Sequence, residues 1–239
     1  CTPITTNART NRRILLKDFS KDKFLSITKQ NLDDLQKILE WNIKNNIYLF
    51  RIGSDIIPLG SHEINNISWQ KEFKDKLEDI GTFIKNNKIR VSMHPGQYTV
   101  INTPKEDVLY KSIKDIEYHC EFLDSLNVDY KNKIILHIGG VYGDKKLAKE
   151  NFLKGFKKLS DSSKKRLVIE NDERNFSLDD VLDISSKINI PVIFDNLHNI
   201  CYGDNSYSLK EIYSLVIQTW NKELDGNMKV HYSEQDIFK

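Results

Sequence analysis

The chain has 239 residues, of which 39% are hydrophobic and 29% are charged, and 36 basic against 34 acidic side chains leave a formal net charge of +2. This apolar fraction is enough for a sizeable core, which excludes a disordered or collagen-like chain. The apolar runs fall far short of the roughly 20 residues that span a bilayer, which excludes a membrane protein. The balanced charge excludes a polycationic tail, but it is compatible with a basic face that binds nucleic acid.

Short apolar runs alternate along the chain with longer amphipathic patterns. The runs predict strands at 47–52, 89–93, 133–138, 166–170, 191–195 and 228–233. The amphipathic patterns predict helices at 31–46, 69–87, 106–127, 146–160, 177–188 and 208–223. Ser177 and Ser208 are predicted N-caps, because acidic residues follow each of them in the first helical turn. Near-continuous apolar strands that alternate with helices indicate a parallel sheet covered on both faces.

Six strands at this spacing predict a TIM (β/α)8 barrel that lacks parts of its first and last βα units. A doubly wound sheet is the other possibility, although the chain has no G-x-G-x-x-G phosphate loop. No low-complexity linker divides the chain, so we expect one domain over residues 1–239, truncated at both ends. The cysteines form no C-x-x-C pattern, which indicates free thiols in a reducing compartment, the cytoplasm; they are Cys1, Cys120 and Cys201.

Histidines and carboxylates follow five successive predicted strands. In a parallel barrel, the carboxyl ends of the strands open on one rim, so residues distant in sequence converge there. Neutral imidazole and carboxylate are natural ligands for Zn²⁺, Mn²⁺ or Fe²⁺. The pattern therefore predicts a multi-metal site, whose candidates are His94, His137, Glu170, Asp195, His198 and His231. His119 lies inside a predicted helix instead, and we expect it to be structural.

The loops after these strands carry groups suited to a phosphate-containing substrate. The turn at 95–98 raises an amide and an aromatic ring above the rim, and the glycines in 139–143 let a phosphate approach backbone N–H groups. Arg51 adds a cation at the end of the first predicted strand. The basic segments 9–17 and 145–158 are candidates for phosphate contacts, with an ordinary solvated surface as the alternative.

Six stretches of the chain strongly resemble the UV damage endonuclease family, repair enzymes that nick DNA beside ultraviolet photoproducts. They cover essentially the whole chain in the right order, at 49–59, 92–98, 136–145, 169–173, 194–198 and 229–236. The resemblance implies a TIM barrel related to endonuclease IV, with two or three divalent metal ions, usually manganese, at the rim. The family also has a further histidine and glutamate, both expected as ligands, beyond the position of Lys239.

The resemblance assigns expected roles to individual residues. His94, His137 and Glu170 are expected to bind one metal, and Glu170 bridges to a second. Asp195 and His231 are expected to bind that second metal, and His198 a third. Lys229 matches a family lysine that is carboxylated to a metal-binding carbamate, and it joins Glu170 and His231 as an expected catalytic residue. The expected contacts with DNA and its lesion are Gln97 and Tyr98, which match the family's probing pair, together with Arg51, His62 and Tyr142.

By resemblance, the chain is expected to cut double-stranded DNA immediately 5′ to cyclobutane dimers, 6-4 photoproducts and related distortions, as a monomer in the cytoplasm. Such damage is recognised by the ease with which weakened base stacking is deformed. Two alternatives remain open. The first is another enzyme of the same superfamily, an abasic-site endonuclease or a metal-dependent sugar isomerase. The second is a damage-binding protein that no longer cuts.

Overall fold

The computed structural model describes residues 6–203 and 206–234, and the chain falls into two compact units. The first unit comprises Cys1–Gly96 and Lys114–Asn132, and the second comprises Gln97–Ile113 and Lys133–Lys239. The prediction of a single domain stays a prediction. Within the described residues, Cys120 and Cys201 are thiols that form no disulfide, whereas Cys1 lies outside them.

The first unit pairs two parallel strands and covers them with helices. Strand β1 (Leu49–Ile52) pairs with β2 (Arg90–Met93), so that Ile52 lies opposite Met93 at the ends of both strands. Helix α1 (Lys21–Lys44) begins at Ser20, before the predicted start at residue 31, because the Ser20 side chain caps the backbone N–H of Lys23. The predicted helix 69–87 is divided at Phe73 into α2 (Trp69–Glu72) and α3 (Lys74–Asn86).

The second unit contains four parallel strands in chain order. They are β3 (Lys133–His137), β4 (Leu167–Glu170), β5 (Val192–Asp195) and β6 (Val230–His231). The pairing sets His137 opposite Glu170, and it sets Asp195 opposite His231. Strands β4 and β5 are buried along their whole length, as expected for strands covered on both faces. The polar residues that end these strands therefore lie level in pairs, and because Glu170 lies opposite Ile193, Asp195 and His231 come two residues further along the strands.

Helices follow the strands along the chain. They are α4 (Glu106–Ser125), α5 (Lys145–Lys157), α6 (Asp161–Arg166), α7 (Leu178–Ile188), α8 (Asn196–Tyr202) and α9 (Leu209–Ile217). The predicted N-caps Ser177 and Ser208 are confirmed, and each forms a capping box, with Asp180 and Glu211 respectively. The short helices α6 and α8 were not predicted, because neither is long enough to show a helical period. No helix in the described parts of the chain is long and apolar enough to cross a bilayer.

Candidate metal centre

Glu170 ends β4 and holds a buried carboxylate between two imidazole rings. Only 1% of the residue is exposed. Its Oε1 lies 2.5 Å from Nδ1 of His231, and its Oε2 lies 3.6 Å from Nε2 of His137. A buried carboxylate is costly unless it is paired or coordinates a cation. The strand register explains the arrangement for His137, because that residue is directly opposite Glu170 on the neighbouring strand.

Asp195 adds a second carboxylate to this group. Its Oδ2 lies 3.8 Å from Nδ1 of His231, which is opposite it in the β5–β6 pairing. One ligand atom from each of Glu170, Asp195 and His231 lies within 4.8 Å of the others. Two carboxylates and one imidazole, all at least partly buried, form a donor set that suits a divalent ion such as Mn²⁺ or Zn²⁺. The donors present therefore fit the predicted metal.

His198 lies in the first turn of α8, where two hydrogen bonds fix its backbone and its ring. Its backbone N–H donates to Oδ1 of Asp195 over 2.9 Å, and its Nδ1 lies 2.9 Å from the carbonyl oxygen of Asn171. Because a carbonyl oxygen can only accept, Nδ1 carries the proton and Nε2 keeps a lone pair for a ligand. This Nε2 lies 3.8 Å from Oε2 of Glu173, and the ring centroid lies 5.4 Å from that of His137.

Lys229 comes immediately before β6 and is half-buried. It precedes His231 by two residues, and alternate residues of an extended chain share one face. This spacing is compatible with a shared site, and the ligand role of Lys229 stays a prediction.

In the first unit, His94 follows β2 and faces an open pocket of about 290 Å³ that is also lined by Arg51, Ile52 and Gly53. Nδ1 of His94 lies 2.9 Å from the carbonyl oxygen of Pro95, so this nitrogen carries the proton and Nε2 is left with its lone pair. Arg51 is exposed at this pocket. Both residues therefore offer polar groups at the end of the β1–β2 pair.

A half-buried serine and a buried histidine support the backbone at His94. Ser54 Oγ donates to the carbonyl oxygen of His94 over 2.9 Å, and it lies 2.9 Å from Nε2 of His119. His119 is fully buried, and its Nδ1 donates to the carbonyl oxygen of Asp115. Burial lowers the pKa of His119, so the neutral ring accepts at Nε2 and the single Ser54 proton is shared between two acceptors. Sequence reasoning missed this supporting role of Ser54.

The residues predicted to contact DNA lie on the surface. Tyr98 is 83% exposed and Gln97 beside it is exposed as well. Tyr142 is exposed, and its φ of +53° lies in the left-handed region, in the loop between Gly140 and Gly143. His62 is exposed in a turn, where its Nδ1 accepts from the backbone N–H of Ile64. Contact of these side chains with DNA stays a prediction.

Carboxylates hold several cations of the two basic segments. Arg12 pairs with Asp34 and Arg13 with Asp55, while Lys145 and Lys149 both pair with Asp180. Burial alone would raise the pKa of Asp34, but hydrogen bonds from Lys37, the Arg9 backbone and Arg12 outweigh it and lower the pKa to about 2. The predicted phosphate contacts of these segments stay predictions.

Comparison with known proteins identifies relatives along the whole chain. A sequence profile described as UV-endonuclease UvdE matches residues 3–237. A protein named UV DNA damage endonuclease, from Clostridium perfringens (strain 13 / Type A), is 98% identical over 239 residues. That alignment takes in 100% of this chain and 58% of the relative, so the chain spans a little more than half of that protein's length.

Solved structures show the same fold. The crystal structure of SacUVDE matches with a TM-score of 0.90 at 41% identity, over 98% of this chain and 78% of that one. Endonuclease IV from Thermus thermophilus matches with a TM-score of 0.51 at 11% identity, over 85% of this chain and 89% of that one, and this likeness shows the fold alone. The predicted fold class, an α/β chain of the TIM-barrel type, is confirmed.

Proposed function

Because the chain belongs to the UV-endonuclease UvdE family, we propose that it is a metal-dependent endonuclease that cuts double-stranded DNA immediately 5′ to ultraviolet photoproducts. The proposal covers cyclobutane dimers, 6-4 photoproducts and related distortions, and it takes the chain to be monomeric and cytoplasmic. One structural observation supports the metal-dependent part of this proposal independently of the family membership. A buried carboxylate, Glu170, lies between the imidazoles of His137 and His231, as a residue that bridges two metal ions would.

The proposed metal is Mn²⁺, with two or three ions per chain. When bound, such ions activate water near neutral pH and stabilise the charge on a phosphodiester and its leaving oxygen. Glu170, Asp195 and His231 would hold one ion, because their donor atoms already lie together. The proposed ligands of the others are His94, His137, His198 and Lys229, the last as a carbamate. Incorporation of ¹³C-labelled bicarbonate, read by ¹³C NMR, tests that modification.

The chain's own residues would bind and orient the substrate. The exposed guanidinium of Arg51 can pair with a phosphate beside the pocket that it lines. Tyr98 and Gln97 would fill the gap left by an unstacked lesion, since an exposed aromatic ring can stack on a neighbouring base. Damaged DNA costs less to unstack than intact DNA, so these contacts select the lesion by deformability.

The decisive experiment incubates the chain and Mn²⁺ with supercoiled plasmids that are intact, ultraviolet-irradiated or depurinated. We expect nicking of the irradiated plasmid, with primer extension placing the cut directly 5′ to the dimer. Nicking of the depurinated plasmid alone supports an abasic-site endonuclease instead. Lesion binding in a gel shift without cleavage supports a damage-binding protein. Turnover of a sugar with no nicking of any plasmid supports an isomerase and contradicts the proposal.

A further inference from the structure

Asn171 follows the predicted bridging residue Glu170, and its side chain makes two hydrogen bonds to the backbone of Asp195. Its Nδ2 donates to the Asp195 carbonyl oxygen over 3.0 Å, and its Oδ1 accepts from the Asp195 N–H over 2.9 Å. Asn171 is only 1% exposed. A carboxamide can donate an N–H and accept at its C=O, as a backbone peptide group does. The two hydrogen bonds to Asp195 therefore resemble those between paired strands.

The position of this contact explains why a side chain is needed. The backbone pairing of β4 with β5 ends at Glu170, which lies opposite Ile193. Beyond it the chain leaves the sheet in a loop, where the Asp172 carboxylate accepts from the backbone N–H groups of Arg174, Asn175 and Phe176. The last residue of β5 would otherwise keep a buried N–H and a buried C=O without a strand partner, which is costly.

The backbone of Asn171 adds a second contact with the site. Its carbonyl oxygen accepts from Nδ1 of His198, which selects the tautomer that leaves Nε2 available. One buried residue therefore holds the backbone of Asp195 and the ring of His198. Asp195 in turn accepts at Oδ1 from the N–H of His198. The three residues form a closed set of hydrogen bonds, in which each fixes the orientation of another.

We propose that Asn171 is a positioning residue, which holds the Asp195 carboxylate and the His198 imidazole in the geometry required to bind divalent metal. This inference rests on the proposed function, because it takes both residues to be metal ligands. Residues that orient metal ligands through hydrogen bonds commonly change metal affinity by about 10- to 100-fold when they are replaced. Loss of the carboxamide frees the Asp195 backbone, so we expect an effect in this range.

The test compares Asn171→Ala with Asn132→Ala. Asn132 is likewise a buried asparagine whose carboxamide accepts from the backbone of a strand, at the N–H of Val91, but it lies in the loop before β3. Mn²⁺ binding to each purified chain is titrated by calorimetry, and thermal unfolding of the metal-free chains is measured in parallel. We expect a 10- to 100-fold loss of affinity in Asn171→Ala only, although both variants unfold at lower temperature.

Unchanged affinity in Asn171→Ala, or an equal loss in both variants, overturns the positioning role. A wild-type chain that binds no Mn²⁺ contradicts the metal centre itself and this inference with it, so the two failures are distinguishable. If Asn171→Ala does not fold, hydrogen exchange in the wild-type chain decides the matter. The amide of Asp195 must then exchange as slowly as that of Ile193 inside β5, and rapid exchange overturns the inference.

Discussion

Oε1 of Glu170 and Nδ1 of His231 lie 2.5 Å apart, although 61 residues separate them in the chain. One strand connects them, because Glu170 ends β4, His231 ends β6, and β5 pairs with both of these strands. A carboxylate oxygen and an imidazole nitrogen so close together can share a hydrogen bond, and both are donor atoms that a divalent cation can bind. The strand order thus brings together candidate cation ligands that no local motif contains.

Replacing Glu170 with glutamine tests the charge at this position with little change in shape. We expect Mn²⁺ affinity to fall by roughly 10- to 100-fold, and cleavage of irradiated plasmid by at least as much, because the neutral amide is a poor ligand. Circular dichroism should show an unchanged fold. Glu150→Gln is the control, since it removes one charge from the exposed surface of α5. Cleavage within about twofold of wild type in Glu170→Gln would contradict a bridging role.

Replacing Tyr98 with alanine separates lesion recognition from metal binding. The ring is 83% exposed, so its loss should leave both stability and Mn²⁺ content unchanged. Stacking on a base is worth about 1–3 kcal/mol, which predicts roughly a 5- to 150-fold loss of preference for irradiated over intact DNA. Competition gel shifts with the two DNAs measure it. Tyr110→Ala, which removes another exposed ring on α4, is the control. A parallel loss of bound metal in Tyr98→Ala would refute the separation of roles.

The sequence predicted the strand ends well because the signal for them is local. A short apolar run followed by a histidine or a carboxylate is visible without its partners, and Glu170, Asp195 and His231 were found in this way. The residues that support these side chains, Ser54 and Asn171, could not be predicted in this way. Ser54 contacts His94 across 40 residues and Asn171 contacts Asp195 across 24, and no pattern in either neighbourhood marks the contact.

The predicted boundaries of α1 and of the helix at 69–87 were wrong for a related reason. The apolar period of α1 is clear only from Asn31 onward, whereas its first turns are largely polar and are set by the capping hydroxyl of Ser20. Similarly, Phe73 carries a helix-compatible side chain, yet its backbone (φ −115°, ψ 20°) leaves the helical region and separates α2 from α3. In both places a backbone conformation, rather than the hydrophobic period, decides where the helix begins or ends.

Replacing Ser54 with alanine removes the hydroxyl shared by His94 and His119. The buried Nε2 of His119 then lacks that contact, so we expect the free energy of unfolding to fall by about 1–3 kcal/mol in urea titrations. The His94 carbonyl loses its donor as well, and Mn²⁺ affinity should weaken if His94 is a ligand. Ser186→Ala, at an exposed serine of α7, serves as the control. Unchanged stability in Ser54→Ala would show that the shared hydrogen bond contributes nothing.

Asp34 predicts a pH dependence of stability in the acid range. Its pKa is lowered to about 2 in the folded chain, because Lys37, the Arg9 backbone and Arg12 outweigh the opposing effect of burial. A depressed pKa stabilises the folded state above the unfolded value of about 3.9, and this stabilisation is lost as the pH falls toward 2. The difference in pKa corresponds to about 2 to 3 kcal/mol at neutral pH.

The measurement compares wild type with Asp34→Asn by urea unfolding at a series of pH values. The difference in unfolding free energy should be constant above about pH 5 and should shrink as the pH falls below about 4, because the carboxyl group of the unfolded wild-type chain then binds a proton that the folded chain does not bind until about pH 2. Asp161→Asn provides the control, since the side chain of Asp161 is 94% exposed and its ion pair with Lys164 is long, at 3.8 Å. A difference for Asp34→Asn that stays constant down to the acid limit of folding would show that the carboxylate charge does not stabilise α1, and that the Arg9 and Arg12 contacts act through shape alone.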